Sequence, residues 1–246
     1  MRRPGGAACF VVLLSMCCVN SHSAEIAVLV WATGNGAENT PSVAAYLMIL
    51  GGFPAVDVID QEATVPLSTL TQYDAVVYFS NQSQTQDPVA IGDVLADYAD
   101  TGACLVIASF AWANQSTNSL AGRIITDGIS PFVATGVPAY EYASMDWNDG
   151  SAIFDGVNSL TTHFQNTVSP SFATVINATL DDGLPLVATK DNVVAVNFFP
   201  DNSHYDPTGD YDILFANAVV NCLHSLIFND GFERGDLSAW DASAGK

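Results

Sequence analysis

The sequence is short of positive charge. Six Lys and Arg stand against 26 Asp and Glu among 246 residues, a formal net charge of −20. Nucleic acids and anionic membranes are bound through clustered Lys and Arg, so neither is an expected partner. Between Ile26 and Phe228 the only cationic side chains are Arg123 and Lys190. Cysteine is also scarce. Of the five, Cys9, Cys17 and Cys18 fall at the amino terminus, leaving Cys104 and Cys222. Two cysteines make neither a disulfide framework nor a zinc site. Both lie in apolar patterns and read as buried small hydrophobes rather than a bridge. Beyond Val19 no apolar run approaches the length of a membrane span. What is abundant is apolar residues, at 49%. That excludes disorder and suffices for a sizeable core.

The amino terminus is set apart from the fold. Met1-Arg2-Arg3 precedes a largely apolar stretch from Ala7 to Val19, and polar Asn20-Ser21-His22-Ser23 follows. This is the layout of a secretory signal peptide, too short to cross a bilayer. Cleavage before Ala24 is expected, with the mature protein secreted or periplasmic. A lipoprotein signal ending at Cys17 is the alternative, and the bulk of Met16 counts against it. The expected organisation is a leader over 1–23, one domain over 24–228 and a tail over 229–246.

Within the domain, Ile26–Trp31 (IAVLVW) reads as a strand buried on both faces. Thr40-Pro41 opens a helix carrying Val43, Tyr46, Leu47 and Leu50, which Gly51-Gly52 end. Ala55–Ile59, Ala75–Ser80 and Leu105–Ser109 are further strands, with a short helical segment at Pro66–Leu70. A helix started by Asp87-Pro88 precedes the last of them. Such alternation predicts right-handed crossovers and a mostly parallel sheet with helices on both faces. Residues 112–148 read as an excursion over the sheet's carboxyl edge. Phe172–Asn177, Leu184–Thr189 and Val193–Phe199 are expected strands, and Tyr211–Phe228 a closing helix.

Ligands of open α/β sheets bind at the carboxyl ends of the strands. Those ends carry Thr33-Gly34-Asn35-Gly36, Ser80-Asn81-Gln82, Ser109-Phe110-Ala111-Trp112 and Asn197-Phe198-Phe199-Pro200-Asp201. Gly34-Asn35-Gly36 lacks a third glycine and any nearby cation, so it is a tight turn rather than a phosphate loop.

This order of elements resembles the class I glutamine amidotransferase-like superfamily, over about Ala24 to Phe228. Val196-Asn197-Phe198-Phe199-Pro200-Asp201 is similar to that family's V-Q-F-H-P-E segment, which holds the catalytic His and Glu. Here Phe199 and Asp201 stand in those positions. The family's G-x-C-x-G nucleophile elbow corresponds to Ala108-Ser109-Phe110-Ala111, without cysteine or glycine, and its oxyanion glycines to Ser80-Asn81. The resemblance implies a three-layer flavodoxin-like fold. It also implies that the amidotransferase mechanism is gone, because a thiolate nucleophile needs an imidazole partner.

What is left suits a binding or assembly module for a small molecule or carbohydrate. The candidate contacts are Asn35, Asn81, Ser109, Trp112, Asn197, Asp201 and His204. Trp112, Tyr140, Tyr142 and Trp147 could stack on sugar rings or pack a loop core of their own. The alternative is a divergent hydrolase in which Ser109, His204 and Asp201 act together. Asp206, Asp210 and Asp212 offer hard oxygens to calcium, although Asp212 could instead cap the closing helix. No cofactor is otherwise expected. The tail from Ile227 to Trp240 resembles a D-G-F-E-x-G-D-x-S-x-W segment of secreted bacterial proteins and reads as a terminal tag or docking strand.

Overall fold

The computed structural model describes residues 26–34, 40–81, 87–114, 119–201 and 207–228. The chain begins with β1 (Ala27–Gly34), α1 (Thr40–Leu50), β2 (Ala55–Asp60), α2 (Leu67–Leu70), β3 (Ala75–Asn81), α3 (Pro88–Asp100) and β4 (Cys104–Ala108). Local chemistry places these boundaries. The Asp87 carboxylate accepts the Ala90 amide at 3.0 Å, capping α3, and Pro88 occupies its first turn. Gly34 leaves β1 with φ at 84°, a left-handed turn that glycine adopts without strain. Gly92, inside α3, has another cause: a β-carbon there would sit 1.7 Å from the carbonyl oxygen of Ala121. Glycine is what lets that loop cross the helix.

The excursion that follows has structure of its own. It contains α4 (Arg123–Thr126), β5 (Phe132–Ala134), β6 (Ala143–Asn148), a 3-10 turn at Ala152–Phe154, β7 (Leu160–Thr162) and β8 (Val168–Pro170). The chain finishes with β9 (Val175–Leu180), β10 (Pro185–Lys190), β11 (Val193–Val196), β12 (Thr208–Gly209) and α5 (Tyr211–Phe228). The strand expected at Phe172–Asn177 thus starts three residues later. Ser171 donates its amide to Pro131 and Thr174 donates to Ser171, a turn that leaves Phe172 outside the ladder and exposed.

One ten-stranded sheet runs in the order β12-β7-β6-β9-β10-β11-β4-β3-β1-β2. From β2 to β11 the neighbours pair in parallel. From β11 outward they pair antiparallel. The sheet is therefore mixed, its parallel half built from the buried apolar runs and its antiparallel half from the later strands. Side chains along the parallel strands alternate between two cores. Val28, Val30, Val77 and Val106 pack with Val43 and Leu47 of α1 and with Leu214 and Val219 of α5. Leu29, Trp31, Val76 and Leu105 pack with Ile91, Leu95 and Tyr98 of α3 and Ile124 of α4. No helix among the described residues is long and apolar enough to cross a membrane.

The cysteine expectation is corrected. Cys104 and Cys222 form a disulfide, with Cα atoms 5.6 Å apart, inside the usual bonding range. Both are wholly buried. Alternation turns Cys104, the first residue of β4, toward α5, and Cys222 lies on the inward stripe of that helix. A separation of 118 residues hides this from the sequence.

Acidic side chains tie the excursion down. Asp210, immediately before α5, accepts the amides of Asn158 at 2.7 Å and Ser159 at 3.1 Å. Those bonds hold its carboxyl below the ordinary carboxylate range. A depressed folded-state pKa stabilises above the unfolded value, about 3.9, and that contribution fades as pH falls through the folded value. Asp210→Asn is therefore expected to lower the urea midpoint at pH 7. The gap to wild type should narrow as pH falls below about 4, whereas a gap independent of pH would contradict the assignment. Arg123 draws together Asp97, Asp100 and Asp127 by charge-assisted bonds. Asp93 meanwhile accepts its backbone amide at 2.7 Å.

Candidate functional site

The carboxyl ends of β1, β3, β4 and β11 bring Thr33, Ser80, Ser109 and Asn197 into one row. Thr33 faces Ser80 in the β1–β3 register. Ser109 and Asn197 continue the registers of β4 with its neighbours. All four are wholly buried. By strand alternation they lie on the α3 side of the sheet, following Trp31, Tyr78, Ile107 and Ala195. The peptide bond from Ser109 to Phe110 is cis. The Phe110 amide donates to the Ser80 carbonyl at 2.9 Å.

A carboxamide pair locks this row. Asn197 Oδ1 accepts the Asn166 amide at 2.8 Å and the Ser109 hydroxyl at 3.3 Å. Its Nδ2 donates to the carbonyls of Asn166 at 2.9 Å and Pro185 at 3.0 Å. Asn166 Oδ1 accepts from the Trp112 amide and the Ser109 hydroxyl, each at 3.3 Å. The Trp112 donor fixes which end of the Asn166 amide is oxygen. Both acceptors beside Ser109 are therefore carboxamide oxygens, which do not take a proton near neutral pH. Two buried polar atoms have no protein partner here, Ser80 Oγ and Asn166 Nδ2.

The histidine position implied by the family resemblance is occupied by a phenyl ring. Phe199, in the histidine position, stands 5.6 Å from Phe79 edge-on and 5.8 Å from Phe110 in a stack. It is almost fully buried. Phe110, just past Ser109, also meets Phe164 at 5.9 Å and Tyr140 at 6.3 Å. From there the rings continue outward. Tyr140 lies 6.3 Å from His163, and His163 lies 4.7 Å from Tyr142. Exposure rises along this path from 8% at Phe110 through 47% at Tyr140 to 70% at Tyr142.

Asp201 turns away from the row. The Ser42 hydroxyl in the first turn of α1 donates to its carboxylate. Tyr46 donates to the Pro200 carbonyl at 2.9 Å. Burial, together with the nearby Tyr211, Asp201 and Asp212, keeps the Tyr46 phenol well above its ordinary pKa, hence protonated as a donor.

Several sequence-derived assignments change in this setting. Trp112 offers no ring face to a ligand. Its indole is wholly buried, donates to Ser130 Oγ at 3.0 Å and packs on Phe132 at 5.2 Å. Ser109 and Asn197 spend their polar atoms on the interior network rather than on an open surface. The Asn81 backbone ends β3. Asn35, His204 and Asp206, like the tail over 229–246, lie outside the described residues. Asp210 is held by the two amides already described, and Asp212 Oδ1 accepts the Ile213 amide at 2.9 Å. Asp210, not Asp212, immediately precedes α5, and its carbonyl accepts the Leu214 amide. Among the described residues no group of three His, Cys, Asp or Glu is placed to hold a metal. Trp147 is half-exposed on β6, apart from the ring path. Sequence reasoning missed the segment His163-Phe164-Gln165-Asn166. Two rings followed by two amides in a loop were its only signal.

A cleft of about 150 Å³ opens at the opposite edge of the sheet, beside Asp127, Gly128 and Lys190. The Lys190 ammonium there donates to the carbonyls of Gly128 and Phe172. Both described cations, Arg123 and Lys190, are thus engaged elsewhere.

No family model matches the chain, and no curated protein matches it in sequence. Solved structures share its fold. One is a GMP synthase subunit protein from Thermoplasma acidophilum, at TM-score 0.52 and 13% identity. That likeness covers 84% of this chain and 98% of the other. Another is a ThuA-like protein from Parabacteroides merdae, at TM-score 0.54 and 13% identity, covering 80% and 90% respectively. The likeness is one of fold alone, an α/β sheet with helices packed on it.

Proposed function

We propose that the chain is an exported, non-catalytic binding or assembly module on a three-layer, flavodoxin-like and amidotransferase-like scaffold. Its binding surface is the carboxyl edge of the parallel strands, and its ligand class is a carbohydrate. The observation that carries this reading is the occupancy of the catalytic positions. Phe199 is packed between two other phenylalanines where a base would stand. The Ser109 hydroxyl, where the nucleophile would stand, is wholly buried and donates to two carboxamides. Asp201, where the orienting carboxylate would stand, is engaged by Ser42. A serine becomes nucleophilic only when a positioned base takes its proton.

Two independent features support export. The leader has a basic start and a short apolar stretch, and the Cys104–Cys222 bridge suits an oxidising compartment. The two cores on opposite faces of the sheet support the three-layer arrangement. The test is glutamine hydrolysis by the purified mature protein, wild type beside Ser109→Ala. No ammonia release above buffer is expected from either. Release that disappears in Ser109→Ala would overturn the reading.

A further inference from the structure

Resting on the binding reading above, we infer that Tyr140, Tyr142 and His163 form an open ring platform that stacks on the sugar rings of a neutral glycan. The platform is the outer end of a continuous path of rings, Phe199, Phe110, Phe164, Tyr140, His163 and Tyr142. Phe199 and Phe110 at its inner end are buried, Phe164 is half-buried, and together they support the outer rings. Tyr142 nonetheless leaves 70% of its surface in water while its ring is held 4.7 Å from His163. A tyrosine carries a large apolar face and a polar tip at a low cost in conformational freedom. Exposing two of them beside a sheet edge gives up burial that a purely structural loop would keep.

The arrangement selects the ligand. The His163 ring is tilted 41° from Tyr142 and 50° from Tyr140. The rings form a row, which suits an extended ligand of stacked rings better than a compact cation needing a cage of faces. Charge excludes anionic glycans. Arg123 and Lys190 are engaged elsewhere, while Glu141 lies between the two tyrosines and is exposed. Asp182 Oδ2 accepts at 3.5 Å from Nε2 of Gln165, two residues along the chain from His163. Carboxylates repel sulfated or uronic polymers, yet they accept hydrogen bonds from neutral sugar hydroxyls. The platform thus has apolar faces for the ring carbons and acceptors for the hydroxyls, the usual make-up of a small-molecule site.

Affinity electrophoresis of the mature protein tests this, using gels that contain dextran, laminarin, xylan or galactomannan, with alginate as the charged control. Retardation in at least one neutral gel and none in alginate is expected. Tyr142→Ala should weaken that retardation about tenfold, while Tyr142→Phe keeps most of it. His163→Ala should also weaken it, and Phe172→Ala, an exposed ring elsewhere, should change nothing. Thermal melts of each variant separate lost binding from lost folding. No retardation in any neutral gel, or retardation indifferent to Tyr142→Ala and His163→Ala, would overturn the platform. Those outcomes leave the non-catalytic reading intact, because that reading stands or falls on Ser109 chemistry.

Discussion

Replacing Asn197 by alanine is expected to lower stability by about 3–5 kcal/mol, without any contact to solvent being lost. The side chain makes four hydrogen bonds in a wholly buried setting, to the Asn166 amide and carbonyl, the Ser109 hydroxyl and the Pro185 carbonyl. Truncation leaves those groups facing a void, and each unsatisfied buried polar group costs about 1–3 kcal/mol. Partial relaxation and water entry keep the total below the plain sum. Urea unfolding at neutral pH measures it. Ser109→Ala should cost much less, because Asn197 and Asn166 retain their bonds to each other. A cost below about 1 kcal/mol for Asn197→Ala would show that the amide network is dispensable.

The second large effect concerns the disulfide. Joining Cys104 and Cys222 closes a loop of 118 residues in the unfolded chain. The chain-entropy treatment assigns such a loop about 5 kcal/mol, and bridges of this kind usually deliver about 2–5 kcal/mol. The double variant Cys104→Ala, Cys222→Ala should therefore lose about 2–5 kcal/mol against the oxidised protein. Reduction of the wild type should give a loss of the same order. Free-thiol titration of the denatured, unreduced mature protein gives the independent check. Fewer than one reactive thiol per chain is expected, and two would contradict the bridge.

Much of the fold was legible because its signals are local. A run such as IAVLVW needs a strand buried on both faces, and β1 is such a strand. Asp87-Pro88 carries its own cap, so the start of α3 follows from two residues. The closing helix, with a long periodic stripe, appears with the expected bounds. What escaped depends on partners far along the chain. Trp112 reads as a loop aromatic until Ser130 and Phe132 close over it. Asn166 sits between two three-residue strands with no periodicity, and it acquires meaning only from Trp112, Ser109 and Asn197. The two cysteines meet only because β4 and α5 are packed face to face.

The candidate site divides along the same line. Its location at the carboxyl edge follows from the strand order, and the residue types there, Phe199 and Ser109 among them, are read directly from the chain. The direction of each polar side chain is not. Ser109, Trp112 and Asn197, nominated as ligand contacts, turn inward, while Tyr140 and Tyr142 are exposed at the outer end of a ring path. A local pattern shows which strands end at an edge, but inward and outward at that edge are decided by long-range packing.

The non-catalytic reading of this chain depends on Ser109 being a structural hydroxyl and not a nucleophile. Incubating the mature protein with a fluorophosphonate and recording its intact mass distinguishes the two. An unmodified mass is expected for wild type, because the hydroxyl is buried and its proton is shared between two carboxamides. A stoichiometric adduct mapped to Ser109, and lost in His204→Ala, would instead make the protein a hydrolase.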